Sequence, residues 1–116
     1  MYHLYIVENS KGRVGFGIAK DYVERNQFYC GHSGDILKFP VIYGGLRAHA
    51  KALEKTIKTE LSDDIWTIEK ENKDWKTEWL NEDKDRKFLE SYINDLIKNR
   101  HIKLKIITRD YDFTQE

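Results

Sequence analysis

The chain has 116 residues, no net charge at pH 7 and one cysteine. The length suits one compact domain with its own core, and the lone Cys30 excludes an internal disulfide. No apolar run approaches the roughly 18 residues of a membrane span, and polar Glu8, Asn9 and Ser10 interrupt the N-terminus. We therefore expect a single domain over residues 1–116, located in the cytoplasm and without membrane contact.

The two halves of the chain differ in charge. Residues 1–58 hold 9 Lys and Arg against 5 Asp and Glu, whereas residues 59–116 hold 11 against 15. Because phosphate binding is driven by concentrated Lys and Arg, the first half is the better candidate to face a polyanion. The asymmetry is modest, and many globular proteins show as much.

Two apolar runs at the N-terminus predict a β-hairpin. The first run, residues 4–7, is apolar on both alternating faces, which is typical of a strand buried on both sides. A turn centred on Ser10-Lys11-Gly12 joins it to the second run, residues 14–19. Glycines inside this second strand indicate a bulge or a close approach by another group.

A helix over about residues 22–30 is expected next. Asp21 can act as its N-cap, and Gly31 is a natural stop. Arg25 falls in the first turn, so its guanidinium and the Tyr5 hydroxyl would lie on neighbouring elements. The polar glycine loop that follows contains His32 and is short enough to be shaped by a ligand.

The next strand and helix complete the first half of the chain. Residues 36–43 read as a third strand, but Pro40 cannot donate to a ladder, which predicts an edge position or a bulge. Apolar residues at helical spacing then predict a helix over about residues 46–61. They are Leu46, Ala50, Leu53, Ile57 and Leu61. A second face of this helix, formed by Arg47, Lys51, Glu54 and Lys58, is basic except for one carboxylate.

The second half is less regular. Residues 62–78 are heavily charged, and we expect a long loop or a short inserted element there. Residues 83–100 have the apolar spacing of an amphipathic helix, and alternation over residues 101–106 predicts a half-buried final strand. The elements together predict an α+β fold, a small antiparallel sheet flanked by helices.

Several short motifs, taken in order, resemble the GIY-YIG nuclease family. His3-Leu4-Tyr5 and Gly15-Phe16-Gly17 stand where that family has its two signature tripeptides. The run from Gly17 to Arg25 is similar to the family's second strand leading into its arginine-bearing helix. Ala52-Leu53-Glu54-Lys55 and Glu78-Trp79-Leu80-Asn81 resemble two later family segments. The likeness covers about residues 2–81, which leaves residues 82–116 as an added C-terminal helix and strand.

The resemblance implies metal-dependent endonucleolytic cleavage of DNA. Phosphodiester hydrolysis needs an activated water, stabilisation of charge on phosphorus and help for the departing oxygen. As the family implies, Tyr5 would take part in activating the water, Arg25 would bind the scissile phosphate, and Glu54 would hold Mg²⁺ or Mn²⁺. The DNA backbone would lie near four cations: Lys20, Arg47, Lys51 and Lys58.

The chain departs from the family in both tripeptides. Gly15 stands where the second signature has tyrosine, and His3-Leu4 replaces Gly-Ile in the first. The resemblance therefore needs another group for the missing hydroxyl. The candidates are His32, for proton transfer, and Tyr22, Tyr29 or Tyr43, for a hydroxyl.

The same residues have simpler interpretations. Tyr5 in an apolar strand can be a core aromatic, and Glu54 with Lys58 is a favoured i,i+4 helix pair. Arg25 can equally bind Asp21. His32 with Cys30 provides too few ligands for zinc.

Three functions therefore remain open from the sequence. The first is an endonuclease whose specificity is low or comes from a homodimer or a protein partner. The second is a nuclease-like module that has lost activity and binds nucleic acid or a protein. The third is a structural protein, which would bring the three predicted catalytic residues into no common cleft.

Overall fold

The computed structural model describes residues 1–21, 23, 38–69, 76–81 and 83–112. Within them lies a six-stranded sheet of order β4-β5-β2-β1-β3-β6, in which every neighbouring pair is antiparallel. Two 14-residue helices accompany the sheet. The predicted α+β class, a small antiparallel sheet flanked by helices, is confirmed.

The N-terminal hairpin forms as the sequence predicts. Strand β1, Tyr2–Glu8, pairs with strand β2, Val14–Ala19, in a register that sets Tyr5 opposite Gly17. In the turn, Gly12 adopts a φ of 79°, a left-handed conformation that glycine reaches without strain. The Asn9 side chain accepts hydrogen bonds from the N–H groups of Lys11 and Arg13, which closes the turn.

Strand β3, Lys38–Gly45, lies inside the sheet between β1 and β6. An edge position, one of the two alternatives that Pro40 suggests, is therefore wrong. The other alternative is confirmed, because Ile6 pairs with Val41 while Glu8 pairs with Lys38, which leaves one extra residue on β3. This bulge spans Pro40 and removes the need for its missing N–H.

Strands β4 and β5 are the main surprise for the sequence interpretation. A short 3₁₀ turn, Ser62–Asp64, leads into β4, Ile65–Glu69, which pairs with β5, Lys76–Leu80. The expected loop or short element is therefore a hairpin that extends the sheet beyond β2. The sequence signal was weak because each of these strands has only five residues, too few to show a clear alternation of apolar and polar side chains.

Helix α1, Arg47–Glu60, and helix α2, Arg86–Asn99, lie close to their predicted bounds. Asp85 caps α2 by accepting a hydrogen bond from the Phe88 N–H at 2.8 Å. Leu46 occupies the N-cap position of α1, where it makes no side-chain cap and stays exposed. Leu46 therefore does not belong to the apolar stripe in which the sequence interpretation placed it.

The core lies between the helices and one face of the sheet. Leu53 and Ile57 of α1 and Leu89 and Ile93 of α2 are fully buried in the same cluster as alternate residues of the sheet. Those sheet residues include Leu4, Ile6, Val14, Phe16, Val41 and Tyr43. Both helices therefore pack on this face, which we call the helix face.

The other face of the sheet is buried at its centre. Tyr5, Val7 and Ile42 alternate with the residues of the helix face and are 1% exposed or less. Strand β1 is thus buried on both sides, as its unbroken apolar run predicts.

The C-terminal elements belong to the same sheet and core. Strand β6, Leu104–Asp112, pairs along β3, and α2 packs against β1. The strand is longer than predicted, and its Ile106 is partly exposed rather than buried. No helix in the described part of the chain is long and apolar enough to cross a membrane.

Candidate nucleic-acid interface

Tyr5 is held in the interior of the sheet. Its side chain is 1% exposed, and its ring stacks on Phe39 with centroids 5.0 Å apart and planes 16° from parallel. Across the strand pair, a methyl group added to Gly17 would lie 2.7 Å from Tyr5 Cζ and overlap the hydroxyl. The Tyr5 phenol therefore occupies space that is free only because Gly17 has no side chain.

Of the candidates for the missing second hydroxyl, the structure describes Tyr43. Its hydroxyl donates a 2.8 Å hydrogen bond to Asn94 on α2. Burial, followed by the nearby Glu90 carboxylate, raises the pKa of Tyr43 above its usual range. Tyr43 lies on the helix face, opposite Tyr5, and is therefore poorly placed to assist it. Tyr22, Tyr29 and His32 lie outside the described residues.

Glu54 makes the helix pair that its spacing predicts. The Lys58 ammonium lies 3.4 Å from its carboxylate, and the Glu54 side chain is 19% exposed. Glu54 follows the fully buried Leu53, so it lies on the flank of α1 next to the core. Because α1 packs on the helix face and the Tyr5 side chain lies on the other face, the sheet lies between that side chain and α1.

Arg25 lies outside the described residues, so its predicted approach to Tyr5 stays a prediction. The residue that precedes its helix is described. Asp21 Oδ1 accepts a 3.0 Å hydrogen bond from the Val23 N–H, which is the bond expected of an N-cap. This contact supports a helix start at the predicted place.

A metal ion would find few ligands among the described residues. They contain no group of three or more His, Cys, Asp or Glu side chains that could hold one. A single carboxylate suffices for Mg²⁺ only when the ion keeps most of its waters and takes oxygens from a bound phosphate. Glu54 fits that limited role, because its side chain is partly exposed and its partner Lys58 is 42% exposed.

The solvent face of α1 is a row of cations. Arg47, Lys51, Lys55 and Lys58 recur at spacings of four, four and three, and all four are exposed. From the first to the last, the row extends about 16 Å along the helix. Within the described residues, Arg47, Lys51 and Lys55 form no ion pair. We call these four residues the α1 cation row.

The cation row begins at an open depression at one end of the sheet. The depression has a volume of about 470 Å³ and is lined by Met1, Tyr2, Lys20, Gly45, Leu46 and Arg47. The Arg47 guanidinium lies over the Tyr2 ring, 5.6 Å from its centroid. Lys20, which directly follows β2, thus lines the same depression as Arg47 from the start of α1. Two cations predicted to contact DNA line one cavity, which we call the end pocket.

Comparison with family models, with curated proteins and with solved structures finds no match. The likeness to GIY-YIG nucleases therefore rests on the motifs quoted above.

Sequence interpretation grouped the residues of α1 imperfectly. It placed Glu54 beside the basic residues, which its pairing with Lys58 confirms, but it left out Lys55, which is exposed. The spacing of four residues from Arg47 to Lys51 to Lys55 was the signal that could have found the complete row. The end pocket had no such signal, because its lining residues come from three separate strand ends and the start of a helix.

Proposed function

We propose that this chain binds DNA through the α1 cation row and the end pocket and cleaves it as a metal-dependent endonuclease. The observation that supports the binding is the juxtaposition of five exposed cations from two distant parts of the sequence, Lys20 and the α1 cation row. Cations arranged along a groove or helix face are the electrostatic footprint of phosphate binding.

The spacing of the row adds a physical argument. Arg47 with Lys51, and Lys51 with Lys55, are like-charge i,i+4 pairs, and each costs a few tenths of a kcal/mol in an isolated helix. Repulsion of this kind is relieved when a polyanion lies along the row. A helix that served only to cover the core would gain from acidic residues at these positions.

The hydrolytic step is proposed from the resemblance to GIY-YIG nucleases. Tyr5 would help to activate the attacking water, and Arg25 would neutralise charge on the scissile phosphate. Glu54 would hold a divalent cation, which when bound would stabilise the departing oxygen. A tyrosine with a pKa near 10 is a weak base at neutral pH, so this role requires cationic neighbours.

A second candidate function is DNA binding without cleavage. Three observations favour it: Tyr5 is enclosed by the sheet, Glu54 is paired with Lys58 on a helix of the other face, and Gly15 supplies no hydroxyl. A chain with these features would still bind DNA through the cation row but would not cleave it.

Incubation with supercoiled plasmid and Mg²⁺, with and without a chelator, separates the two functions. The informative variants are Tyr5→Phe, Arg25→Gln and Glu54→Gln, because each keeps much of the original shape. Tyr43→Phe and Glu60→Gln are the matched controls, since they make the same chemical changes elsewhere in the sheet and on α1.

Metal-dependent nicking that is lost in the three variants and kept in the two controls would support the endonuclease. Retarded migration of the plasmid without nicking would support the binding module. Failure to bind DNA at low salt would contradict both proposals.

A further inference from the structure

The end pocket combines two chemical characters. Lys20 and Arg47 make one part of its wall cationic, whereas Met1, Tyr2 and Leu46 make the rest apolar or aromatic. A depression built only to hold the DNA backbone would need the cations alone. The two parts of the wall together are therefore complementary to a ligand that carries both an anion and a flat apolar group.

The exposure of the apolar residues in the wall supports a ligand with an apolar part. Met1 is 77% exposed and Leu46 is 64% exposed, the highest values among the large hydrophobic side chains in the described residues. Single exposed hydrophobic residues are common on protein surfaces, but contiguous exposed ones are typical of binding sites, and Met1 and Leu46 line the same depression. Leu46 also occupies a helix N-cap position, at which Ser, Thr, Asp or Asn would stabilise the helix.

The ligand that matches both characters is one nucleotide. Its phosphate suits Lys20 and Arg47, and its base suits the Tyr2 ring and the exposed side chains of Leu46 and Met1. The volume of about 470 Å³ falls within the range of small-ligand pockets, roughly 300 to 1,000 Å³. The Arg47 guanidinium lies over the Tyr2 ring and so occupies one face of it, which fixes this cation in the wall of the pocket.

A base inside a duplex cannot enter such a pocket, because its faces are covered by its neighbours. We propose that the end pocket binds a single nucleotide whose base is unstacked, as in a single-stranded segment or a free nucleotide. This inference deepens the DNA binding proposed above and rests on it for its biological substrate. The preferred substrate would then be DNA with a single-stranded part rather than a continuous duplex.

Two oligonucleotides with the same number of phosphates test the inference by fluorescence anisotropy, one single-stranded and one a blunt duplex. Leu46→Gln keeps the net charge of the protein and removes the apolar contact with the base. Because Leu46 is exposed, the stability of the fold should not change. Loss of part of this burial should weaken single-strand binding about fivefold. Duplex binding, which uses the cation row, should change less than twofold.

Two further variants complete the design. Ile106→Gln is the matched control, since Ile106 is 38% exposed and lies outside the pocket, and it should affect neither oligonucleotide. Lys20→Gln should weaken single-strand binding and lower the slope of log affinity against log salt by roughly 0.7, the value for one phosphate contact. Equal weakening of both oligonucleotides by Leu46→Gln, or no weakening of either, would overturn the inference.

A second readout separates this inference from the proposed DNA binding. Deoxythymidine 5′-monophosphate should shift the amide NMR signals of Tyr2, Lys20 and Arg47, and inorganic phosphate at equal concentration should shift them less. If these shifts occur but no oligonucleotide binds, the pocket stands as a site for free nucleotides and the proposed function fails. If phosphate and nucleotide shift the signals equally, the base has no role and the inference fails, whatever happens with DNA.

Discussion

Helices α1 and α2 have the same length, pack on the same face of the sheet and use their charges differently. On α2, Glu90 pairs with Arg109 of β6 at 2.6 Å, and Arg86 lies 3.8 Å from Asp110 of the same strand. At the end of α2, Arg100 pairs with Glu60 at 2.7 Å. On α1, Arg47, Lys51 and Lys55 have no such partner within the described residues.

This difference separates charges that hold the fold from charges that remain available to a ligand. The ion pairs of α2 fasten the C-terminal helix to the last strand and to the end of α1. Of the α1 cations, Lys58 pairs with Glu54 on its own helix, and Arg47, Lys51 and Lys55 form no ion pair within the described residues. We therefore expect substitutions on α2 to change stability and substitutions on α1 to change affinity for DNA.

The largest expected effect comes from neutralising the free part of the cation row. Arg47→Gln, Lys51→Gln and Lys55→Gln together should weaken duplex binding roughly 100-fold at moderate salt, because about three phosphate contacts are lost. The salt slope should fall by about 2.7. Fluorescence anisotropy at several salt concentrations measures both quantities.

The control for that prediction is the same charge change on the other helix. Arg86→Gln, Lys87→Gln and Lys98→Gln together remove three cations from α2 and should leave duplex affinity within about threefold, through the change in net charge alone. Equal losses in the two triple variants would show that net charge, not its position on α1, governs binding.

The next effect concerns the polar contact between α2 and the sheet. Asn94→Leu removes the partner of the buried Tyr43 hydroxyl and should lower the free energy of unfolding by about 1 to 2 kcal/mol. Urea denaturation measures the change, and DNA affinity should stay the same. Adding Tyr43→Phe should recover part of the loss, and strictly additive losses would contradict the contact.

A smaller effect is expected for the ion pair between α2 and β6. The Arg109 side chain is 54% exposed and that of Glu90 is 24% exposed, so screening by water limits their attraction. A double-mutant cycle with Glu90→Gln and Arg109→Gln should give a coupling of about 0.5 kcal/mol. The coupling should shrink in 1 M salt, whereas a value independent of salt would indicate a packing effect.

The smallest effect appears at high pH. Burial, and then the hydrogen bond that the Tyr92 hydroxyl donates to Glu60, raise the pKa of Tyr92 to about 12 from an ordinary value of 10.0. The unfolded chain releases this proton first, so the contribution of Tyr92 is complete below pH 10 and is lost as the pH rises through 12. The difference in unfolding free energy between wild type and Tyr92→Phe should therefore shrink over that range.

Measuring the unfolding free energies of wild type and Tyr92→Phe at pH 8 and pH 11 tests this prediction. Tyr43 is present in both proteins, so its own titration cancels in the difference. A difference that stays constant with pH would mean that the contact between Tyr92 and Glu60 does not stabilise the neutral phenol.

Long periodic segments made most of the fold predictable. Both α1 and α2 were found within a few residues because buried apolar residues recur at spacings of three or four along each helix, as in Ala50, Leu53 and Ile57 of α1 and Leu89, Ile93 and Leu96 of α2. The β4–β5 hairpin was missed because five-residue strands hold too few alternating positions to show a period. Pro40 restricted β3 to an edge or a bulge, and the choice depended on β6, a partner more than sixty residues away in sequence.

The candidate site was less predictable for a related reason. The residue types Tyr5 and Glu54 fit nuclease chemistry, but the face on which each lies depends on strand alternation and on which side of the sheet the helix packs. The pairing of Glu54 with Lys58 was foreseen from spacing alone. The location of Lys20 and Arg47 in one depression was not foreseen, since it follows from the three-dimensional arrangement of β1, β2 and β3.

The fit between Tyr5 and Gly17 has a consequence for how the hairpin finds its alignment. A shift of the strands by one residue would bring the side chain of Phe16 or Ile18 to the position opposite the phenol, and neither leaves room for it. Gly17 thus leaves room for the Tyr5 ring in only one register of the two strands. A variant library should therefore tolerate alanine or serine at position 17 chiefly when position 5 has become smaller.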